Sequence, residues 1–311
     1  MSTRQPLTTC IQDEYVLEVP GEQGTEEIAI LQRSVGKRQF LAWHGITAVN
    51  RLWLWDIFWD AGEVNLVGLP GHGCVRPPSF EQCTRWTANH FIDIGVATAR
   101  RISQGAPMTL MGHSTGGLVA LGVAMRAPDL VERLILISPV IWNDLHGIVG
   151  FWKKFIERPA LMKTVISLSL GPGRKSYPLF RASLRALISN SHSFYNDPIV
   201  HEVLQHAYLH YQHTTIDAIT HTARVIGSAD IRSDIAAHAP SVPTLIIHGG
   251  CDRIVPRAQS TWLQHHLPNA ELHILPEAGH TSFGEQRDRF NQCVQAWAKQ
   301  HNSVLPLAQM K

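Results

Sequence analysis

No run in the 311-residue chain approaches the roughly 18 consecutive apolar residues that crossing a bilayer requires. The longest candidate, Ala160 to Leu170, is short and interrupted by Lys163, Ser167 and Ser169, so it reads as a helix covering an apolar surface. Paired cysteines are lacking too. Cys10, Cys74, Cys83, Cys251 and Cys293 are odd in number and form no CxxC spacing. The start, Met1-Ser2-Thr3-Arg4-Gln5-Pro6, has no apolar signal-peptide core. An odd, scattered cysteine set without an export signal points to a reducing compartment, and the expectation is a soluble, cytoplasmic protein. Charge of one sign is equally scarce. With 27 Lys+Arg against 25 Asp+Glu, the formal net charge is +2, and the basic residues are spread through the chain. That leaves no electrostatic case for nucleic acid. Internal repeats and low-complexity tracts are absent as well. What remains is an ordinary globular composition, 44% hydrophobic and 17% charged, at a length suited to one large domain or a domain with an insertion.

The hydrophobic pattern alternates. Glu14 to Val19 and Glu27 to Val35 are β-rich runs around Pro20-Gly21-Glu22-Gln23-Gly24, a strand–turn–strand opening. Phe40-Leu41-Ala42-Trp43 reads as a buried strand stopping at His44-Gly45. Asn50 should then cap an amphipathic helix with Leu52, Trp55 and Trp59 on one face. Glu63 to Leu69 is a strand, Gln82 to Gln104 a long helix, Met108 to Met111 a strand, and Leu134-Ile135-Leu136-Ile137 a central strand covered on both faces. From Trp142 to about Asp230 no convincing strand occurs, and helical patterns break at Pro159, Gly171-Pro172-Gly173, Pro178 and Pro198. After Pro240 the alternation resumes, with strands Thr244 to His248 and Glu271 to Leu275 followed by helices Arg257 to Leu267 and Gly284 to Gln300. Such alternation predicts an α/β fold, a mostly parallel sheet with helices on both faces. The expected organisation is a core in two parts, residues 1–141 and 231–311, interrupted by a helical insertion at 142–230.

In an open α/β sheet, function gathers at the carboxyl ends of the strands. His44-Gly45, Pro70-Gly71-His72-Gly73, Gly112-His113-Ser114 and Gly249-Gly250-Cys251-Asp252 all follow strands directly, and Ala278-Gly279-His280 follows Leu275 closely. Gly112, Ser114 and Gly116 form Gly-x-Ser-x-Gly, a weak signal alone. Here it stands between a strand and a helix whose apolar face carries Leu118, Leu121 and Met125, the order a nucleophile elbow needs. A serine hydroxyl becomes nucleophilic only beside a base, usually histidine, itself oriented by a carboxylate. Of 18 histidines, His280 stands in the loop after the final strand, where it can reach over the sheet edge. Asp252 follows a strand end directly, whereas the competing acids Asp144 and Asp234 do not. The chain order Ser114, Asp252, His280 is the one that accompanies this elbow. An oxyanion hole needs two convergent N–H groups, expected from Thr115, after the nucleophile, and Ile46, in the His44-Gly45-Ile46 loop.

On these motifs the chain resembles the α/β-hydrolases over roughly residues 25–300, most nearly the lid-bearing serine esterase, lipase and thioesterase group. The resemblance implies an eight-stranded sheet with a helical lid over the site. Gly68 departs from the pattern, since members often carry Asp two residues before the Pro-Gly-His-Gly turn, but that position is not catalytic. A serine nucleophile argues against the haloalkane dehalogenases and epoxide hydrolases, which use Asp. Carbon–carbon bond hydrolases, acyltransferases and cofactor-free haloperoxidases share the fold and stay open.

Weaker signals lie elsewhere. His206, His210 and His213 fall four and three apart, a metal-ligand spacing, and His201-Glu202 with His206 misses His-Glu-x-x-His by one residue. A polar helix face is the simpler account. Trp53, Trp55, Phe58 and Trp59 read as core, whereas Trp142, Phe151, Trp152 and Phe155 are expected to face the substrate. The expected function is hydrolysis of an ester or thioester with an apolar acyl or alcohol part, through an acyl-enzyme on Ser114. No metal, cofactor or nucleic-acid partner is implied. The rival readings are an acyltransferase with the same triad, or a ligand-binding protein that keeps a triad but scarcely turns over.

Overall fold

The computed structural model describes residues 11–21, 24–33, 39–54, 63–73, 76, 78–103 and 105–301. Eight strands form one sheet: β1 (Ile11–Gly21), β2 (Gly24–Arg33), β3 (Gln39–Trp43), β4 (Glu63–Val67), β5 (Met108–His113), β6 (Val131–Ile137), β7 (Thr244–Gly249) and β8 (Ala270–Leu275). Their order across the sheet is β1-β2-β4-β3-β5-β6-β7-β8. β1 and β2 make the expected hairpin, and β2 pairs antiparallel with β4; every later pairing is parallel. The strands β3, β5 and β7 are buried at every position, which explains the apolar runs Phe40-Leu41-Ala42-Trp43 and Leu245-Ile246-Ile247. β1, on the edge, is largely solvent-facing and accordingly carries Asp13, Glu14 and Glu18.

Helices cover the sheet. The run expected as one helix from Gln82 is two: α1 (Phe80–Thr84) and α2 (Ala88–Ile102). The break arises because two caps compete within the run. Ser79 forms a capping box with Gln82, and the Thr87 side chain accepts from His90 N and restarts the helix. α3 (Thr115–Arg126) lies behind the elbow and packs on α2. The helix expected after Asn50 is only a 3₁₀ turn over Asn50–Trp53 among the described residues. Val49 holds the cap position, and Asn50 is buried inside the turn. Trp55, Phe58 and Trp59 lie outside the described residues, as do Cys10 and Cys74.

Between β6 and β7 the chain leaves the sheet as α4 (Gly147–Lys153), α5 (Pro159–Lys175), α6 (Tyr177–Ser183), α7 (Ser191–Asn196), α8 (Pro198–Tyr211) and α9 (Ile216–Ser228). α5 runs through Gly171-Pro172-Gly173 instead of breaking there. The proline deprives only the Leu168 carbonyl of its helical partner, and Leu168 is 74% exposed, so water can serve that carbonyl. The two ends of this block meet: Trp142 and Asp230 form an antiparallel bridge, and Ile231 N–H donates to Ile141 O at 3.0 Å. The chain then returns through α10 (Arg232–His238) to β7, followed by α11 (Arg257–His266) after it. Beyond β8 the helix expected from Gly284 is again two, α12 (Ser282–Glu285) and α13 (Arg287–Gln300), parted at Gln286. Among the described residues no helix is long and apolar enough to cross a membrane.

Candidate active site

Ser114 occupies the turn between β5 and α3 with φ 55° and ψ −115°, a backbone conformation that L-residues avoid. Backbone hydrogen bonds hold it there: Ser114 N–H donates to Ile137 O at 2.9 Å, while Ser114 O accepts from Gly117 N at 2.9 Å and Val140 N at 3.1 Å. The flanking glycines make the approach feasible. A Cβ on Gly112 would fall 2.1 Å from Gly116 O, and one on Gly116 would fall 2.4 Å from Trp43 O. Strand and helix therefore meet backbone to backbone, and the serine is left at the tip.

Asp252 lies in the loop after β7, with a side chain only 1% exposed. Its Oδ1 accepts from Ile254 N at 2.8 Å and Val255 N at 3.0 Å, which fixes the carboxylate. Its Oδ2 lies 2.7 Å from His280 Nδ1. Burial alone would raise this carboxyl's pKa, but the charge and hydrogen bond of His280 outweigh it, helped by His248 and the Ile254 N–H, and hold it well below the usual range. With Nδ1–H donated to Asp252, Nε2 of His280 is the nitrogen left to take a proton. The structure thus brings the acid and base expected from the sequence into contact. It does not bring Asp144 there: that residue is exposed and pairs with His146 at 3.2 Å. Asp234 lies on α10.

The loop after β3 is held by two histidines whose motifs were visible in the sequence and whose work was not. His44 Nδ1–H donates to Gly45 O at 2.8 Å, and its Nε2 accepts from Leu69 N at 3.2 Å, so one neutral tautomer satisfies both bonds. Burial, with neighbouring His72, pushes its pKa down to about 3. His72 sets its Nδ1 3.0 Å from Pro70 O and its Nε2 2.5 Å from Ile46 O, and as a neutral ring it donates to one of the two, the shorter contact being to Ile46. Ile46 is thereby fixed on the loop that approaches Ser114; a Cβ on Gly45 would sit 3.2 Å from Ser114 Cβ. Thr115 opens α3, where N–H groups lack intrahelical partners. A third histidine, His113, pairs its Nε2 with His280 O at 2.9 Å, and burial drives its pKa well down, so it donates as a neutral ring.

Ser114, His280 and Ile46 line one cavity of about 420 Å³. Its other walls are mostly apolar and come largely from the helical block, with Val149, Trp152, Leu170, Phe180, Leu204 and Ile226 among them and a few hydroxyls such as Ser169 and Thr281. Among the described residues lining it, none is Asp, Glu, Lys or Arg. Of the four aromatics expected to face a substrate, only Trp152 lines this cavity. Trp142 instead packs on Trp262, with centroids 6.1 Å apart, and under Arg232; Phe151 is 44% exposed and meets Phe155. Trp53 is core, 4.9 Å from the ring of Phe283. His210 and His213 rings lie 5.9 Å apart, but among the described residues no three His, Cys, Asp or Glu side chains gather as a metal-holding group.

The family model described as serine aminopeptidase S33 matches residues 79–287, spanning the elbow, Asp252 and His280. The chain belongs to that family of α/β hydrolases. Several relatives it resembles are named as hydrolases. A pimeloyl-[acyl-carrier protein] methyl ester esterase of Nitrosomonas europaea is 26% identical over 75% of this chain and 84% of its own. A 2-hydroxymuconate semialdehyde hydrolase of Pseudomonas putida is 29% identical over 65% of each chain. Among solved structures, an esterase from Exiguobacterium antarcticum superposes with a TM-score of 0.70 at 18% identity, covering 92% of this chain and all (100%) of that one. A thermophilic esterase from Thermogutta terrifontis gives 0.69 at 19% identity, covering 93% and 99%. These structural matches share the fold, and the S33 member described here is an α/β-fold hydrolase.

Proposed function

We propose that this hydrolase cleaves small carboxylic esters or thioesters with an apolar acyl or alcohol part through an acyl-enzyme on Ser114. The observation carrying the proposal is the Asp252–His280 pair, 2.7 Å apart, in the wall of the cavity that also exposes the strained Ser114. Ser114 Oγ adds to the substrate carbonyl carbon while His280 Nε2 takes the hydroxyl proton. Asp252 holds Nδ1–H and stabilises the imidazolium. The oxyanion is met by the N–H groups of Ile46 and Thr115. Collapse breaks the bond to the alcohol or thiol, which leaves with the proton from His280. Water then repeats the addition, gives its proton to His280, and frees the acid and Ser114. The helical block acts as a lid, and its aliphatic wall favours an uncharged acyl chain, because a charge buried there without a partner costs several kcal/mol.

The test combines a fluorophosphonate probe with a series of p-nitrophenyl esters. Parent protein should be labelled on Ser114 and should hydrolyse the hexanoate faster than its ω-carboxylate analogue, the adipate monoester. Ser114→Ala should lose both labelling and turnover. Labelling that persists in Ser114→Ala would place the nucleophile elsewhere. Release of acyl product only when an added alcohol or amine is present would make the protein an acyltransferase.

A further inference from the structure

Glu285 closes α12, five residues after His280, and is only 2% exposed. A buried carboxyl needs donors, and four reach it. Its Oε2 accepts from Ser189 N at 2.7 Å, Asn190 N at 2.9 Å and Gly279 N at 3.0 Å, and its Oε1 accepts from Thr281 Oγ1 at 3.1 Å. Two of these donors, Gly279 and Thr281, flank His280. The other two belong to the helical block, nearly a hundred positions earlier in the chain. The same stretch of the block grips His280 directly, since His280 N–H donates to Leu187 O at 2.8 Å. The two backbones touch: a Cβ on Gly279 would fall 2.7 Å from Ser189 N and 2.8 Å from Leu187 O. Leu187 and Ile188 meanwhile line the cavity.

We infer that Glu285 is a positioning residue: it fastens the His280 loop to residues 187–190 of the helical block, so that His280 Nε2 is held toward Ser114 only while the block is seated. The inference rests on His280 being the general base. Glu285 touches neither Ser114 nor Asp252, and it acts through the loop. Without it, one buried and two half-buried N–H groups lose their acceptor together, which drives the loop and the block segment apart to reach water. A displacement of about 1 Å at a catalytic group costs up to about 100-fold in rate.

The experiment measures kcat per active serine for parent, Glu285→Ala, Glu285→Gln and Arg287→Gln, with p-nitrophenyl acetate and octanoate. Fluorophosphonate titration counts active serines, so a merely unstable variant is corrected for its unfolded fraction. Arg287, at the start of α13, ties the second part of the core to the helical block through Asp197, 3.0 Å away, and serves as the control. Glu285→Ala should lose about 10–100-fold in normalised kcat on both esters, with the acid limb of its pH profile displaced. Glu285→Gln, which keeps an oxygen for the three N–H groups, should recover most of the loss, and Arg287→Gln should stay within about twofold of parent. Should Glu285→Ala not fold, Thr281→Val removes one bond and should show a smaller kcat loss of the same kind. Normalised kcat and acid limb unchanged in both Glu285→Ala and Thr281→Val would overturn the inference. So would a loss confined to KM for octanoate, or an equal loss in Arg287→Gln. Absence of Ser114-dependent ester hydrolysis in the parent would instead remove the proposed function beneath it.

Discussion

His113, His248 and His280 surround one carboxylate, and a single proton separates their roles. His248 lies 3.6 Å from Asp252 Oδ2, but its ring is spent on Ser260 Oγ, at 2.7 Å, and Val255 O, at 3.1 Å. His113 gives its Nε2–H to the backbone carbonyl of His280. His280 is the ring that joins Asp252 to the cavity. Asp252→Asn should therefore leave a folded protein with the imidazole in the wrong tautomer, and kcat on an activated ester should fall by about 10⁴, the loss seen on such a change in a serine-protease triad. Asp144→Asn, altering an exposed group, should stay within about twofold of parent. Near-parent rates for folded Asp252→Asn would remove it from the acid role. At this scale the sequence was informative where a residue followed a strand end, as Asp252 and His280 do. It showed His44 and His72 only as strand-end motifs and gave no sign of Glu285, because their partners lie 25, 26 and 96 positions away and leave no local spacing to read.

Among the elements, β6 and β7 were legible because burial on both faces demands continuous Leu and Ile runs. Helix boundaries were less so. Thr87 and Gln286 divide runs whose apolar periodicity continues across the break, and periodicity carries no information about a cap. The cavity walls were barely legible: of the four aromatics expected there only Trp152 lines the cavity, and since Trp152 and Trp142 look equivalent in sequence, only the packing of the block turns one inward. The elbow is the element with least tolerance. Gly116→Ala would place a methyl 2.4 Å from Trp43 O, against backbone that cannot yield without moving β3. It should destabilise the protein by about 3 kcal/mol or more and abolish Ser114 labelling. Chemical unfolding monitored by circular dichroism, beside fluorophosphonate labelling, measures both; a folded, labelled Gly116→Ala protein would contradict the backbone contact.

For the whole molecule, buried histidines set acid tolerance. Burial lowers the pKa of His44 to about 3, and it lowers those of His72, His113 and His248 as well. In the unfolded chain each returns to about 6.5, so between the two values the unfolded state binds more protons. Stability is then complete above about pH 6.5 and falls as the pH drops below it, by up to about 1.4 kcal/mol per pH unit for each ring. Urea unfolding at pH 7.5, 6.0 and 4.5 should show this decline; a flat profile would mean these rings are protonated within the fold. The contact between Trp142 and Asp230 has a consequence of another kind. Because the helical block leaves and re-enters at neighbouring points, it is a cassette, and a foreign helical cassette can be grafted there without stretching β6 from β7. A graft that keeps only the junction should fold with its sheet intact yet hydrolyse poorly, since nothing would replace Leu187, Ser189 and Asn190 beside His280. Transplanting substrate preference between relatives therefore requires moving those three backbone positions along with the walls.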